Sequence, residues 1–402
     1  MSRPESFDAL IIGGGTVGAA AAVALAARGI DVALIDRARP EPKSDDQPLD
    51  LRVVALSPGS RDLLDALGAW TRIRCERITA YTDMQVISGS GEVRFRASEH
   101  GLTALGWIVE IAELDRALWL ELDQRRRVQA ITPAQVERID LGPDEARVEL
   151  ADGRTLIGRM LIGADGARSR VRAAAGIEVT AHHYNQRAVV AQLSTSRNNP
   201  GTAWQRFTEL GPMALLPLPE GRSSLVWSVP DDTAQRLLDA DNDGFLAELA
   251  RHARETPFGE FELAGDRQAL PLVRRQSKPL AAGRVALLGD AARSVHPLAG
   301  QGLNLGLGDV AALVDAVGRR AIGDDPGAAL SRYARRRYSD STLVAGGIHA
   351  INELRAFGEP GRLALGAGFS TMRRLRPARD AFVRRASGLE EVRRAVGLLE
   401  GR

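Results

Sequence analysis

Three glycine-rich stretches hold most of the residues whose types and spacing could do chemistry. Near the N-terminus, GGGTVG sets Gly13, Gly15 and Gly18 in a G-x-G-x-x-G pattern directly after the apolar run Phe7–Ile12. Asp36 and Arg37 follow a second apolar run, Asp31–Ile35, about twenty residues further on. The bare pattern is weak. Its setting is specific: a strand, a glycine turn, an apolar helix over Thr16–Arg28, then a strand ending in an acid. Glycines there permit a tight turn and close approach of a pyrophosphate, whose charge meets a helix N-terminus. The Asp36 carboxylate can accept hydrogen bonds from a ribose 2′-hydroxyl and would repel a 2′-phosphate, which favours FAD or NAD over NADP. This unit alone leaves FAD and NAD both open.

The second stretch is GADGARSRVR (Gly163–Arg172), an acid-glycine turn carrying Asp165 ahead of a basic helix start. The third is GDAARSVHPLAGQG (Gly289–Gly302). There Asp290 ends the strand Arg284–Leu288, Pro297 stiffens a loop, and Gly300 and Gly302 lead into Leu303, Asn304 and an apolar helical face through Val317. A loop feeding a helix N-terminus beside a carboxylate is a second ligand-binding corner, which a plain NAD-dependent dehydrogenase would leave unexplained. The sequence offers no metal-ligand cluster and no Ser-His-Asp arrangement, so a bound cofactor must carry the hard chemistry.

These three motifs, in this order, resemble those of flavin-dependent aromatic hydroxylases of the para-hydroxybenzoate hydroxylase type, over about Asp8 to Arg337. Leu51–Trp70 (LRVVALSPGSRDLLDALGAW), Arg206–Pro219 (RFTELGPMALLPLP) and His296–Gly306 (HPLAGQGLNLG) resemble, more narrowly, the ubiquinone-biosynthesis ring hydroxylases. The resemblance implies bound FAD, NAD(P)H as electron donor and O2 activated at the flavin C4a carbon. It implies a polyprenylated phenol as hydrophobic substrate. Gly13, Gly15, Gly18, Asp36 and Arg37 would hold the ADP part, with Asp165 in the second motif. Asp290 would bond the ribityl chain, and Pro297, Gly300, Gly302, Leu303 and Asn304 would lie against the isoalloxazine with Arg52 near it. The helix starting near Gly302 would then offer N–H groups to the flavin N1/O2 edge, where reduced flavin is anionic. Arg293 stands where the family usually has histidine, and either keeps a cation near the FAD phosphates. His296 reads as a loop residue. Leu51–Trp70 leans toward a 6-hydroxylase of 2-polyprenylphenol, with a relative acting elsewhere on the ring left open. Two other readings stay open: hydroxylation of a small soluble aromatic acid, and a non-catalytic FAD-binding subunit.

The elements that must position these residues follow from the pattern. The expected fold is α/β: a Rossmann-like FAD-binding domain with a mostly parallel sheet, discontinuous over 1–75, 108–177 and 276–345. A mixed β-sheet substrate domain is inserted at 76–107 and 178–275. Its expected strands include the hairpin Gln85–Ser88 and Glu92–Arg96, then Ala188–Leu193, Met213–Leu218 and Ser223–Val229, with Met213, Leu215, Leu216, Leu218 and Trp227 as apolar side chains. Residues 346–402 form a helical, arginine-rich segment. With 53 basic against 51 acidic residues in 402, no global field asks for nucleic acid. From Met372 to Arg402, however, nine arginines face four acids. That segment is either a solvated surface or a docking face for acidic lipid or a partner complex. Cys75 is alone, so no disulfide forms within the chain. The first residues lack the order of a signal peptide. The sequence predicts a soluble cytoplasmic protein, at most peripheral to the inner membrane, with homo-oligomerisation open.

Overall fold

The computed structural model of the chain describes residues 4–41, 47–254, 256–296, 300–318 and 326–401. The first apolar run forms the strand Glu5–Ile12, whose last four residues are buried. It lies between Val32–Ile35 and Thr155–Gly163, parallel to both. Helix Thr16–Ala27 makes the crossover to Val32–Ile35; all its residues except Val17 and Ala27 are buried. Alanine and valine suit that place, because a helix covered on every side by protein needs no polar face. Val128–Ile131 and Val285–Leu287 extend the parallel sheet at either side. An antiparallel hairpin, Val136–Leu141 with Ala146–Leu150, pairs onto Thr155–Gly163.

A second sheet of eight strands is mostly antiparallel. Its two long strands, Glu178–Thr195 and Phe261–Lys278, pair with each other. Ser223–Pro230, Pro212–Pro217, Thr202–Phe207 and the hairpin Asp83–Ser88/Gly91–Arg96 follow in order across the sheet. One face packs on the helices Asp231–Asp239 and Asn242–His252, burying Trp204, Leu215, Trp227 and Phe245 together. The alternation of a strand assigns each residue to one face. Met213, Leu215 and Trp227 therefore belong to this packing core, and Leu216 belongs to the opposite face. A small three-stranded sheet, Val53–Leu56, Gly106–Glu110 and Ile78–Tyr81, completes the β-structure.

Helix Gln301–Ala316 is buried continuously from Asn304 to Val314. It packs against Thr16–Ala27 and against the C-terminal helix Leu389–Leu399, whose Val392 and Ala395 enter the main core. Two more C-terminal helices, Glu359–Arg374 and Arg376–Ser387, contribute Leu365 and Val383 to a separate cluster with Val86, Val93 and Phe95 of the hairpin. Among the described residues, no helix is long and apolar enough to cross a membrane.

Candidate functional site

The chain leaves the first strand through Gly13, at φ +105°. A Cβ at Gly13 would lie 2.3 Å from the Ala164 carbonyl oxygen, and one at Gly18 would lie 1.9 Å from the Gly13 oxygen. Those two are glycine because the protein itself crowds them. Gly15 differs: its φ is an ordinary −68°, and a Cβ there would meet nothing within 4 Å. The loop is fixed from two sides. Trp119 Nε1 donates to the Gly14 carbonyl at 2.7 Å, and the Gly14 N–H donates to Asp36. The second Asp36 oxygen accepts from the Ala38 N–H. Arg37 is exposed and, like Gly13, Gly18 and Asp36, does not line the cavity described below.

The third motif arrives from Val285–Leu287 through Gly289, at φ +56°. Asp290 then lines the cavity and keeps an exposed surface. Burial raises its carboxyl above the usual range, while Arg275, Arg52 and Arg293 oppose the rise. Gly300, at φ +61°, starts the helix, and Gly300, Gln301, Gly302, Leu303 and Asn304 all line the cavity. A Cβ at Gly302 would come no nearer than 4.0 Å to another group, the Val295 Cγ2. The Asn304 amide bridges elements: its oxygen accepts from Ser57 N (2.9 Å) and Ser60 Oγ (2.8 Å), and its nitrogen donates to Ala55 O (2.8 Å). Its side chain thus pins the helix start to Val53–Leu56. His296 is buried, its ring edge-to-face with Tyr184 at 5.1 Å. Pro297 lies outside the described residues.

In the second motif, Ala164, Gly166 and Ala167 face the cavity and Asp165 does not. One oxygen of the Asp165 carboxylate accepts from the backbone N–H of Arg170 (2.6 Å) and Val171 (3.2 Å) at the start of the helix Arg170–Ala174. An acid just before a helix start has that competing use. Arg172, nearly buried, donates to the carbonyls of Ala167 (2.9 Å) and Ala291 (3.1 Å), joining the second motif to the third. Arg293 also turns inward. It pairs with Asp309 at 2.9 Å, both side chains essentially inaccessible, and so lies off the cavity wall where a phosphate contact was expected. Asp309 further accepts from Arg337 Nε (2.7 Å) and from the Gly289 N–H (2.9 Å). Arg337 in turn pairs with Glu391 of the C-terminal helix.

These surfaces enclose one cavity of about 880 Å³, toward the upper end of the roughly 300–1,000 Å³ typical of ligand pockets. On one side stand the glycine loop, Arg52, Asp290 and the start of Gln301–Ala316; on the other, the open face of the second sheet, with Ala188, Val190, Ala214, Leu216 and Val226. Phe95, Leu102, Leu105, Phe382 and Val383 add an apolar wall drawn partly from the C-terminal helices. Asp115, which the sequence reading missed, accepts a 2.5 Å hydrogen bond from Thr16 at the first helix start. Burial raises its carboxyl to about 6, with the Thr16 bond and Arg52 opposing and Asp36 adding to the rise. Nothing local in ELDRALW marks it, because its partner lies 99 residues away. The residues fit an extended dinucleotide: a cradle at a helix N-terminus, open space before Gly15 and Gly302, arginines on the wall and an acid at each end.

The FAD binding domain family matches residues 6–345. The 3-demethoxyubiquinol 3-hydroxylase of Escherichia coli (strain K12) is 36% identical over 343 residues, covering 84% of this chain and 87% of its own. Ubiquinone hydroxylase UbiL of Rhodospirillum rubrum is 34% identical over 394 residues, covering 96% of this chain and 91% of its own. Among solved structures, p-nitrophenol 4-monooxygenase PnpA of Pseudomonas putida DLL-E4 matches with a TM-score of 0.76 at 19% identity, over 95% of this chain and 99% of that one. At that identity the likeness shows the fold alone.

Proposed function

The chain belongs to the FAD binding domain family and, within it, to the ubiquinone-biosynthesis ring hydroxylases, and on that premise we propose that it hydroxylates the ring of a polyprenylated phenol using FAD, NAD(P)H and O2. One observation carries the substrate class. The cavity that begins at the glycine cradle continues into a chamber of alanine, valine and leucine bounded by Phe95 and Phe382. A small aromatic acid would call for a cation in that chamber. Arg52 and Arg275 instead act on Asp290, at the cradle side.

When bound, FAD supplies the oxygen activation, at its C4a carbon, and the transfer of one oxygen atom to the ring. The chain's own part is to bind, orient and exclude water. Gly13 and Gly18 hold the turn, Gly15 leaves room for a pyrophosphate at the first helix start, and Asp36 would accept from a ribose hydroxyl. Asp290 would accept from the ribityl chain. The N–H groups at the start of Gln301–Ala316 would meet negative charge on the reduced ring. In this reading residues 1–75, 108–177 and 276–345 hold the cofactor, while 76–107 and 178–275 cover the substrate. The ring position is that of the 2-polyprenylphenol 6-hydroxylase or of a relative such as the 3-hydroxylase named above.

The C-terminal helices add a setting for so apolar a substrate. Phe357, Leu363 and Leu375 are exposed in the same C-terminal helical segment as the exposed Arg373, Arg374 and Arg376. This combination suits peripheral contact with an anionic membrane, where polyprenyl chains reside. Purified protein is expected to be yellow with FAD, and mass spectrometry of cells lacking it to show a polyprenyl precursor short of one ring hydroxyl. A colourless protein that cannot be reconstituted with FAD overturns the assignment.

A further inference from the structure

Directly opposed residues on paired strands point to the same side of a sheet, so register defines which side chains share the cavity face. One such row runs Val86, Gln205, Ala214, Val226 and Val190 across five neighbouring strands. Gln205, Ala214, Val226 and Val190 line the cavity. An amide therefore stands among aliphatic side chains, opposite the cofactor cradle. Gln205 is only 6% exposed, and its side chain has no hydrogen-bond partner among the described residues. Two other glutamines of the sheet are committed: Gln192 donates to the carbonyls of Leu49 and Asp50, and Gln85 to Glu92. Tyr81 is another such group on the wall. Its ring packs over Gly106, and its hydroxyl bonds to nothing among the described residues. Burial pushes its phenol up to about 12, so it remains a donor at neutral pH.

We propose that the Gln205 amide and the Tyr81 hydroxyl hold the oxygen substituents of the substrate ring and so select which ring carbon faces the flavin. The inference rests on the hydroxylase reading above. Its physical basis is the cost of leaving polar groups unpaired in an apolar chamber. A ligand bearing a matching oxygen satisfies them, and an isostere lacking it leaves them bare.

The test uses the full-length, FAD-loaded protein and two probes. One is a phenol with a short prenyl chain at the 2-position; the other is the same prenylbenzene without the ring oxygen. Binding is followed by perturbation of the flavin absorbance, and products by chromatography with mass spectrometry. The native chain is expected to prefer the phenol at least tenfold. The near-isosteric Gln205→Met and the single-atom Tyr81→Phe should each shrink that preference by about tenfold, equivalent to ~1.4 kcal/mol. Gln205→Met should also spread the hydroxyl over more than one ring position. Unchanged preference and an unchanged product in both variants overturn the inference while leaving the hydroxylase reading intact. A native chain that neither binds nor hydroxylates the phenol overturns the reading itself, and this inference with it. Tyr81→Phe removes one oxygen atom and keeps the test open should Gln205→Met fail to fold.

Discussion

At the scale of single residues, the glycines separate into two kinds with opposite consequences. Gly18→Ala drives a Cβ into the Gly13 carbonyl, so it should lower both stability and FAD affinity. Gly302→Ala meets only open space in a helix where alanine is favoured by roughly 0.5–1 kcal/mol. It should therefore raise the unfolding midpoint of the FAD-free protein slightly and yet weaken FAD binding. Paired urea and flavin titrations decide this, and a Gly302→Ala variant binding FAD as well as the native chain would show that no cofactor approaches there. Asp115 supplies a pH dependence. Its carboxyl is raised from 3.8 to about 6, so the stability it contributes is complete below about 3.8 and lost as pH rises through about 6. A pyrophosphate at the neighbouring helix start would favour the protonated form further. FAD affinity should thus fall between about pH 5 and 7, and Asp115→Asn should flatten both profiles. The glycine spacing and Asp36 were legible because their chemistry is local. Asp115 and Trp119 were not, since each meets its partner about a hundred residues away.

At the scale of elements, the apolar runs translated directly into strands and buried helices, and Gln301–Ala316 begins where the glycines promised. Less legible was what holds that helix. Within its buried stretch Leu305–Val314 one acid, Asp309, interrupts the apolar run, and an acid so placed signals a buried charge awaiting partners. Two arginines and the Gly289 N–H supply them. Replacing Asp309 by alanine leaves Arg293 an uncompensated buried cation and Arg337 with Glu391 alone, a change that typically costs about 3–5 kcal/mol. Chemical denaturation of Asp309→Ala measures it, and a loss below about 1 kcal/mol would show the cluster to be dispensable. The arginine at position 293 was expected near phosphate on family grounds, but both its terminal nitrogens bond to this acid. Asp165 shows a related competition: a carboxylate beside a helix start can bind a ligand or cap the helix, and the fold commits one of its oxygens to the cap.

At the scale of the whole molecule, the arginine-rich tail was legible as a basic helical segment, but not as a wall of the cavity. Phe382 and Val383 reach the chamber because the helix Arg376–Ser387 folds back onto the hairpin Asp83–Ser88/Gly91–Arg96, a contact no local pattern encodes. Deleting the tail would therefore damage the site along with any membrane contact. A cleaner test replaces Arg373, Arg374 and Arg376 by glutamine and Leu375 by serine, all exposed. Co-sedimentation with anionic liposomes at low salt should fall several-fold while FAD content holds, and undiminished pelleting would remove the membrane proposal. The grip of Glu391 on Arg337 has a consequence for how the protein is made. Asp309, and through it the Gly289 turn, rests on a contact supplied by the helix Leu389–Leu399. Until that helix has been synthesised the turn lacks this buttress. Nascent chains stalled before Leu389 are therefore expected to capture FAD poorly, which flavin titration of chains truncated there checks.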